Sequence, residues 1–226
     1  MKNNNNKVAQ LVIDNAKGIR GHYFTEHSIE TSGDLVIDLD GPLYVGGDVC
    51  AQSIISKNRI CASGAIEAPE FILSQGSIEA EYIASTDIEV EGNVMVDEEI
   101  HALNDFIGRS VVASDLTAGN TEVWNLTIRD DINVNGLVAG AVKANCLNAN
   151  DVDIGAGNLR AIDARDVFVN EDMTADLVRA RDLEVCGTLE TKKVVARFMD
   201  VGKLQGLDGD PVTVFTTDDE KLRERY

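Results

Sequence analysis

The sequence predicts an all-β fold, a single-stranded, three-sided, right-handed β-helix of about nine or ten coils. Three observations predict it. An apolar residue returns every five or six positions between Leu43 and Val194. A second inward candidate, most often alanine, follows two positions later. The residues left over are Gly, Asn, Asp, Ser and Glu, which suit sharp corners.

The beat opens as Leu43, Val49, Ile54, Ile60, Ile66, Phe71, Ile78, Ile83, Ile88, Val94 and Ile100. After a gap it resumes as Ile132, Leu137, Val142, Leu147 and Val152, then runs through Ile162, Val167, Met173, Val178, Leu183, Leu189 and Val194. The paired residues include Ala51, Ala62, Ala68, Ala80, Ala102, Ala144, Ala149 and Ala180. A spacing of two puts both side chains on one face of a short strand. The residue between them (Glu67, Glu79, His101, Lys143, Asn148, Arg179) is mostly polar, as an outward position requires. A helix repeats every 3.6 residues and a sandwich has longer strands, so neither fits. Left-handed β-helices keep a strict six-residue beat; the mixture of five and six here points to the right-handed form.

The flanks leave the beat. Residues 1–32 are expected to form an N-terminal cap or tail, and 203–226 a C-terminal cap or charged tail. The solenoid then spans 33–202, with an irregular middle at 97–128 that holds the only tryptophan.

Composition agrees and narrows the partners. Hydrophobic residues are 44 % of the chain but aromatics only 5 %, which suits a core of small, regular cross-section. A net charge of −19 repels phosphate backbones and anionic lipid, so direct binding to nucleic acid is not expected. No run approaches a membrane span. MKNNNNKVAQ has no apolar core after a basic start, so no secretory signal is expected and the location is read as cytoplasmic. Cys50, Cys61, Cys146 and Cys186 lie at wide spacings with no CxxC, and are read as reduced core or near-core residues.

Segments 32–49 (SGDLVIDLDGPLYVGGDV), 76–96 (GSIEAEYIASTDIEVEGNVMV) and 178–190 (VRARDLEVCGTLE) resemble the bactofilins, bacterial cytoskeletal proteins. The likeness covers roughly residues 32–196. It implies a right-handed three-sided β-helix that polymerises end to end without nucleotide. This chain departs from the pattern in its longer solenoid and interrupted middle.

Chemistry-bearing motifs are sparse. There is no GxSxG, HExxH, Walker or Rossmann motif, so no catalytic, cofactor-binding or metal residues are assigned. His101 is weighed against hexapeptide-repeat acyltransferases, whose histidine lies in a cleft; between Ile100 and Ala102 it reads as a solvated strand residue. Asp97, Glu98 and Glu99 could imitate glycosidase acids, but the large coils and long loops of such enzymes are missing. GLDGD (206–210) and DLDG (38–41) read as turns rather than calcium loops.

The expected role is a structural scaffold that binds itself, end to end or laterally, or other proteins, with no small-molecule substrate. One alternative is an acidic, DNA-mimicking interaction module or inhibitor acting on a nucleic-acid-handling protein. Pentapeptide-repeat proteins of that kind place the small residue before the large one, the reverse of the order here. A virion or surface fibre component is the other alternative.

Overall fold

The computed structural model describes residues 10–14 and 23–216. It is a parallel β-solenoid of about 11 turns, with no α-helix among the described residues. Among the described residues no helix is long and apolar enough to cross a membrane. The chain forms two compact units, residues 1–109 and 110–226.

The first unit contains β1 (Gln10–Asp14), β2 (Tyr23–Thr25), β3 (Ile29–Glu30), β4 (Asp34–Asp38), β5 (Leu43–Val45), β6 (Val49–Cys50), β7 (Ser53–Ser56) and β8 (Ile60–Ala62). It continues with β9 (Ala65–Ser74), β10 (Ile78–Ala80) and β11 (Tyr82–Val96). Their registers define three sides. On one, Leu11, Leu35, Ile54, Ile72 and Ile88 stack in sequence. Tyr23, Leu43, Ile60, Ile78 and Val94 stack on the second. Ile29, Val49, Ile66 and Ile83 form the third. Short side chains of matching size fill each column, which is why so few aromatics suffice.

β12 (Glu99–Ala113) carries the chain into the second unit, which holds β13 (Asp115–Ile128), β14 (Asp131–Val169), β15 (Met173–Gly206), a 3-10 turn (Leu207–Gly209) and β16 (Thr213–Thr216). Here single strands run round several corners before breaking. Leu116 stacks on Ile132, Leu126 on Val142, Ile162 on Val178 and Val167 on Leu183.

The two-residue alternation is as expected. Ile78, Ile88, Val142 and Leu147 are buried while Glu89, Lys143 and Asn148 are exposed and Glu79 is half-buried. Every residue of the expected beat is buried except Phe71. Ile72 takes that place, stacked between Ile54 and Ile88, because the Pro69–Glu70 corner adds a residue and an isoleucine matches the column. Residues 97–128, expected to be irregular, keep the alternation: Ile100, Ala102, Phe106, Val111, Ala113, Leu116, Ala118, Val123, Leu126 and Ile128 are all buried. Thr121 occupies a core position in that stretch, and this hid the beat. Its hydroxyl is buried without a hydrogen-bond partner.

The flanks are described in part: residues 1–9, 15–22 and 217–226, which include the expected charged tail, lie outside the described residues. β1, β2 and β3 add a rung in register below β4, β5 and β6, and β16 stacks on Lys193–Ala196. These rungs carry the turn count past the expected nine or ten. GLDGD makes the 3-10 turn, with Asp208 (φ 56°) and Gly209 (φ 82°) left-handed and the Asp210 N–H donating to the Leu207 carbonyl at 3.0 Å.

Buried hydroxyls lock the longer corners of the first unit. Ser56 Oγ donates to the Asn58 carbonyl at 2.7 Å and Ser74 Oγ to the Gly76 carbonyl at 3.2 Å. These bonds satisfy polar atoms that would cost about 1–3 kcal/mol each if left unpaired.

Candidate functional site

His101 sits where the alternation puts it, outward between buried Ile100 and Ala102, with Nδ1 3.9 Å from Glu99 Oε1 and both side chains well exposed. Asp97 and Glu98 are exposed, and their backbone N–H groups donate to the carbonyls of Ala80 and Glu81. Asp38 of DLDG pairs with Lys57 at 2.8 Å. Among the described residues no group of three or more His, Cys, Asp or Glu side chains is placed to hold a metal ion.

Three of the cysteines are near-core rather than core residues, and the fourth is at the surface. Cys50 and Cys61 occupy outward positions beside buried Val49, Ile60 and Ala62, Cys146 is half-buried at a corner, and Cys186 is exposed. All four are free. Burial first, then Glu67, Asp48 and Glu30, pushes the Cys50 thiol up; burial followed by Asp131 does the same to Cys146. Raised thiols hold little of the thiolate that nucleophilic chemistry needs.

Open troughs lie on the second unit, and two of them are lined by amide or charged side chains. One, about 560 Å³, lies between two amide ladders: Asn148 Nδ2 donates to Asn133 Oδ1 at 3.0 Å, and Asn150 Nδ2 to Asn135 Oδ1 at 2.6 Å. The other, about 580 Å³, gathers Arg129, Lys143 and Arg160 beside Asp176. At a neighbouring corner, cations and anions alternate up the stack. Arg165 bonds Asp151 (2.7 Å) and Asp166 (3.0 Å), and Arg181 bonds Asp166 (2.6 Å) and Asp182 (2.9 Å). These hydrogen bonds, Asp151's foremost, raise the Arg165 pKa above its ordinary value. Such exposed pairs position side chains more than they stabilise the fold.

The most unusual surface is in the first unit, on the side formed by β1, β4, β7, β9 and β11. Its central outward column reads Val12, Val36, Ile55, Leu73 and then Glu89. Val12 is 50 % exposed, while Val36, Ile55 and Leu73 are half-buried by one another. The columns beside it read Gln10, Asp34, Ser53, Phe71, Asp87 and Asp14, Asp38, Lys57, Gln75, Glu91. Sequence reasoning passed over this surface. The signal was present: in DLVID, SIIS and FILS the residue between the two inward positions is aliphatic where polarity was expected.

No family model, no curated protein and no solved structure matches this chain.

Proposed function

We propose that this chain is a structural, scaffolding β-solenoid that assembles with copies of itself through its terminal rungs and is not an enzyme. One observation carries the reading. The apolar columns continue to the last described strands and are uncovered there: Leu11 is 39 % exposed although it stacks on fully buried Leu35, and Val214 is 41 % exposed although it stacks on fully buried Val194. A terminal rung also offers backbone N–H and C=O groups without a neighbour, which pair with another chain unless blocked. Joining β16 of one copy to β1 of the next is a repeated heterologous contact and yields an open polymer. The bactofilin resemblance supports the same role. Four unpaired cysteines accord with a cytoplasmic location.

Negative-stain microscopy across concentration and salt tests this. Filaments are expected, strengthened by salt because screening relieves repulsion between −19 chains. Leu11→Lys and Val214→Lys should abolish them while leaving the melting temperature in place. Wild-type protein that stays monomeric, or filaments indifferent to both lysines, would overturn the reading. A monomer would favour an acidic interaction module, since Ile60 to Gly108 contains eleven Asp or Glu and no Lys or Arg.

A further inference from the structure

The aliphatic column Val12, Val36, Ile55, Leu73 lies where a solvated strand would present polar side chains, and charged residues flank it on both sides. We infer that it is a lateral interface between two copies of this chain, packed face to face with their solenoid axes antiparallel. The inference extends the scaffold reading and rests on it for the many aligned copies invoked below.

Electrostatics select the partner and its direction. Consider two copies related by a two-fold axis that lies in the interface, along the strands, midway between β4 and β7. Val36 then faces the partner's Ile55, and Val12 faces the partner's Leu73. In the flanking columns Asp14 faces Gln75 and Gln10 faces Phe71, while Ser53 is buried beside Asp34 of its own chain and donates to that carboxylate at 2.6 Å, so no like charges meet. Asp38 faces Lys57. Within one copy these two already form an ion pair at 2.8 Å, so the axis produces a square of four charges with alternating sign. Glu89 falls outside the four paired rungs. On the same four rungs the parallel alternative, with the axis along the solenoid, sets Asp34 against Asp38, and on the next rung it also sets Asp87 against Glu91 and Glu89 against Glu89. Opposed like charges in a desolvated contact are unfavourable. The surface is therefore self-complementary in one orientation.

Magnitude identifies the setting. Four rungs about 4.8 Å apart and three outward positions about 6.7 Å apart cover roughly 250 Å² per copy. Stable interfaces bury about 800 Å² on each side, so this contact cannot hold a lone foreign partner or a free dimer tightly. Copies already aligned in a polymer repeat it many times, and effective concentration makes a weak contact sufficient. The expected result is pairing or bundling of antiparallel filaments.

The test uses full-length chain with its four native cysteines changed to serine. Val36→Cys and Ile55→Cys are made separately, mixed at high concentration and treated with a short bis-maleimide, whose span suits facing sheets about 10 Å apart. Antiparallel pairing predicts cross-linked heterodimer in several-fold excess over either homodimer. Lys57→Glu should remove the product, and the charge swap Asp38→Lys with Lys57→Glu should restore it, with melting temperatures unchanged throughout. Homodimers equal to the heterodimer, no cross-linking, or indifference to Lys57→Glu would overturn the inference. Microscopy of the same samples separates the two proposals. Cross-linking without filaments defeats the end-to-end scaffold and leaves the lateral contact standing. Filaments that remain single in the wild type and show no cross-link defeat only the lateral contact.

Discussion

The two units solve the same packing problem with different amounts of chain. In the first, one turn takes from 16 residues (Ile72 to Ile88) to 24 (Leu11 to Leu35), and most sides are short strands, with serine hydroxyls holding two of the corners. In the second, turns take 16 residues (Leu116 to Ile132) or 15 (Asn133 to Asn148) until the last, which takes 20 (Val194 to Val214), and single strands of 39 and 34 residues wind round several corners. The difference shows in the outward columns. A near-constant turn sets every outward residue above its counterpart, about 4.8 Å away. Two of the second unit's outward stacks use side chains that tolerate such neighbours: asparagines, which bond to their own kind, and alternating Arg and Asp. The first unit instead has long acidic stretches without cations and one aliphatic column, a pattern fitted to contact rather than to self-contained ladders.

The largest expected effect tests whether the core is common to both units. Leu147→Asp places an unpaired charge in a fully buried column, a cost of several kcal/mol. That is enough to unfold a domain whose margin is about 5–15 kcal/mol. A melting midpoint equal to the wild type would break the register on which the comparison stands.

Tight corners come next. A Cβ at Gly155 would lie 2.3 Å from the Gly140 carbonyl oxygen, and one at Gly76 would lie 2.3 Å from the Asn58 carbonyl carbon. Backbone cannot give way cheaply, so Gly155→Ala and Gly76→Ala are each expected to cost about 1–3 kcal/mol. At Gly136 the nearest atom is the Asn120 side-chain oxygen at 3.1 Å, and Gly136→Ala should cost much less. Chemical denaturation of the three variants ranks them; equal values would mean that corners are not closest where glycines stack.

Two smaller effects sharpen the ladder argument. Asn148→Asp removes the hydrogen bond to Asn133 and sets a carboxylate next in the column to Asp163, costing about 1 kcal/mol. Thr121→Val runs the other way: it removes a buried, unpartnered hydroxyl and should stabilise the chain by about 1 kcal/mol. A drop in melting temperature for the valine variant would mean that the hydroxyl has a partner. The smallest effect is His101→Ala. Its contact with Glu99 is long and exposed, so both melting curve and assembly should be unchanged.

The stack of inward residues was legible in the sequence because burial on one face of a strand imposes a period of two, and coil geometry repeats it every five or six residues. Ile78, Val142 and Leu147 needed nothing more. Thr121 hid the beat because a polar residue in a core position cannot be told from a corner without its neighbours in space. Phe71 and Ile72 posed the complementary difficulty. Two adjacent apolar residues satisfy the same local pattern, and only the column above and below decides which points in.

What the sequence determined alone is the repeat, the narrow core and the solenoid class, since each follows from side-chain period and size. Column identity needed the tertiary structure. Val12, Val36, Ile55 and Leu73 are 18 to 24 residues apart in sequence, and Asp38 and Lys57 are 19 apart. With turns of unequal length, no fixed period aligns them. Only the parallel register, set by how many residues each corner takes, brings four aliphatics into one line and puts an ion pair beside it.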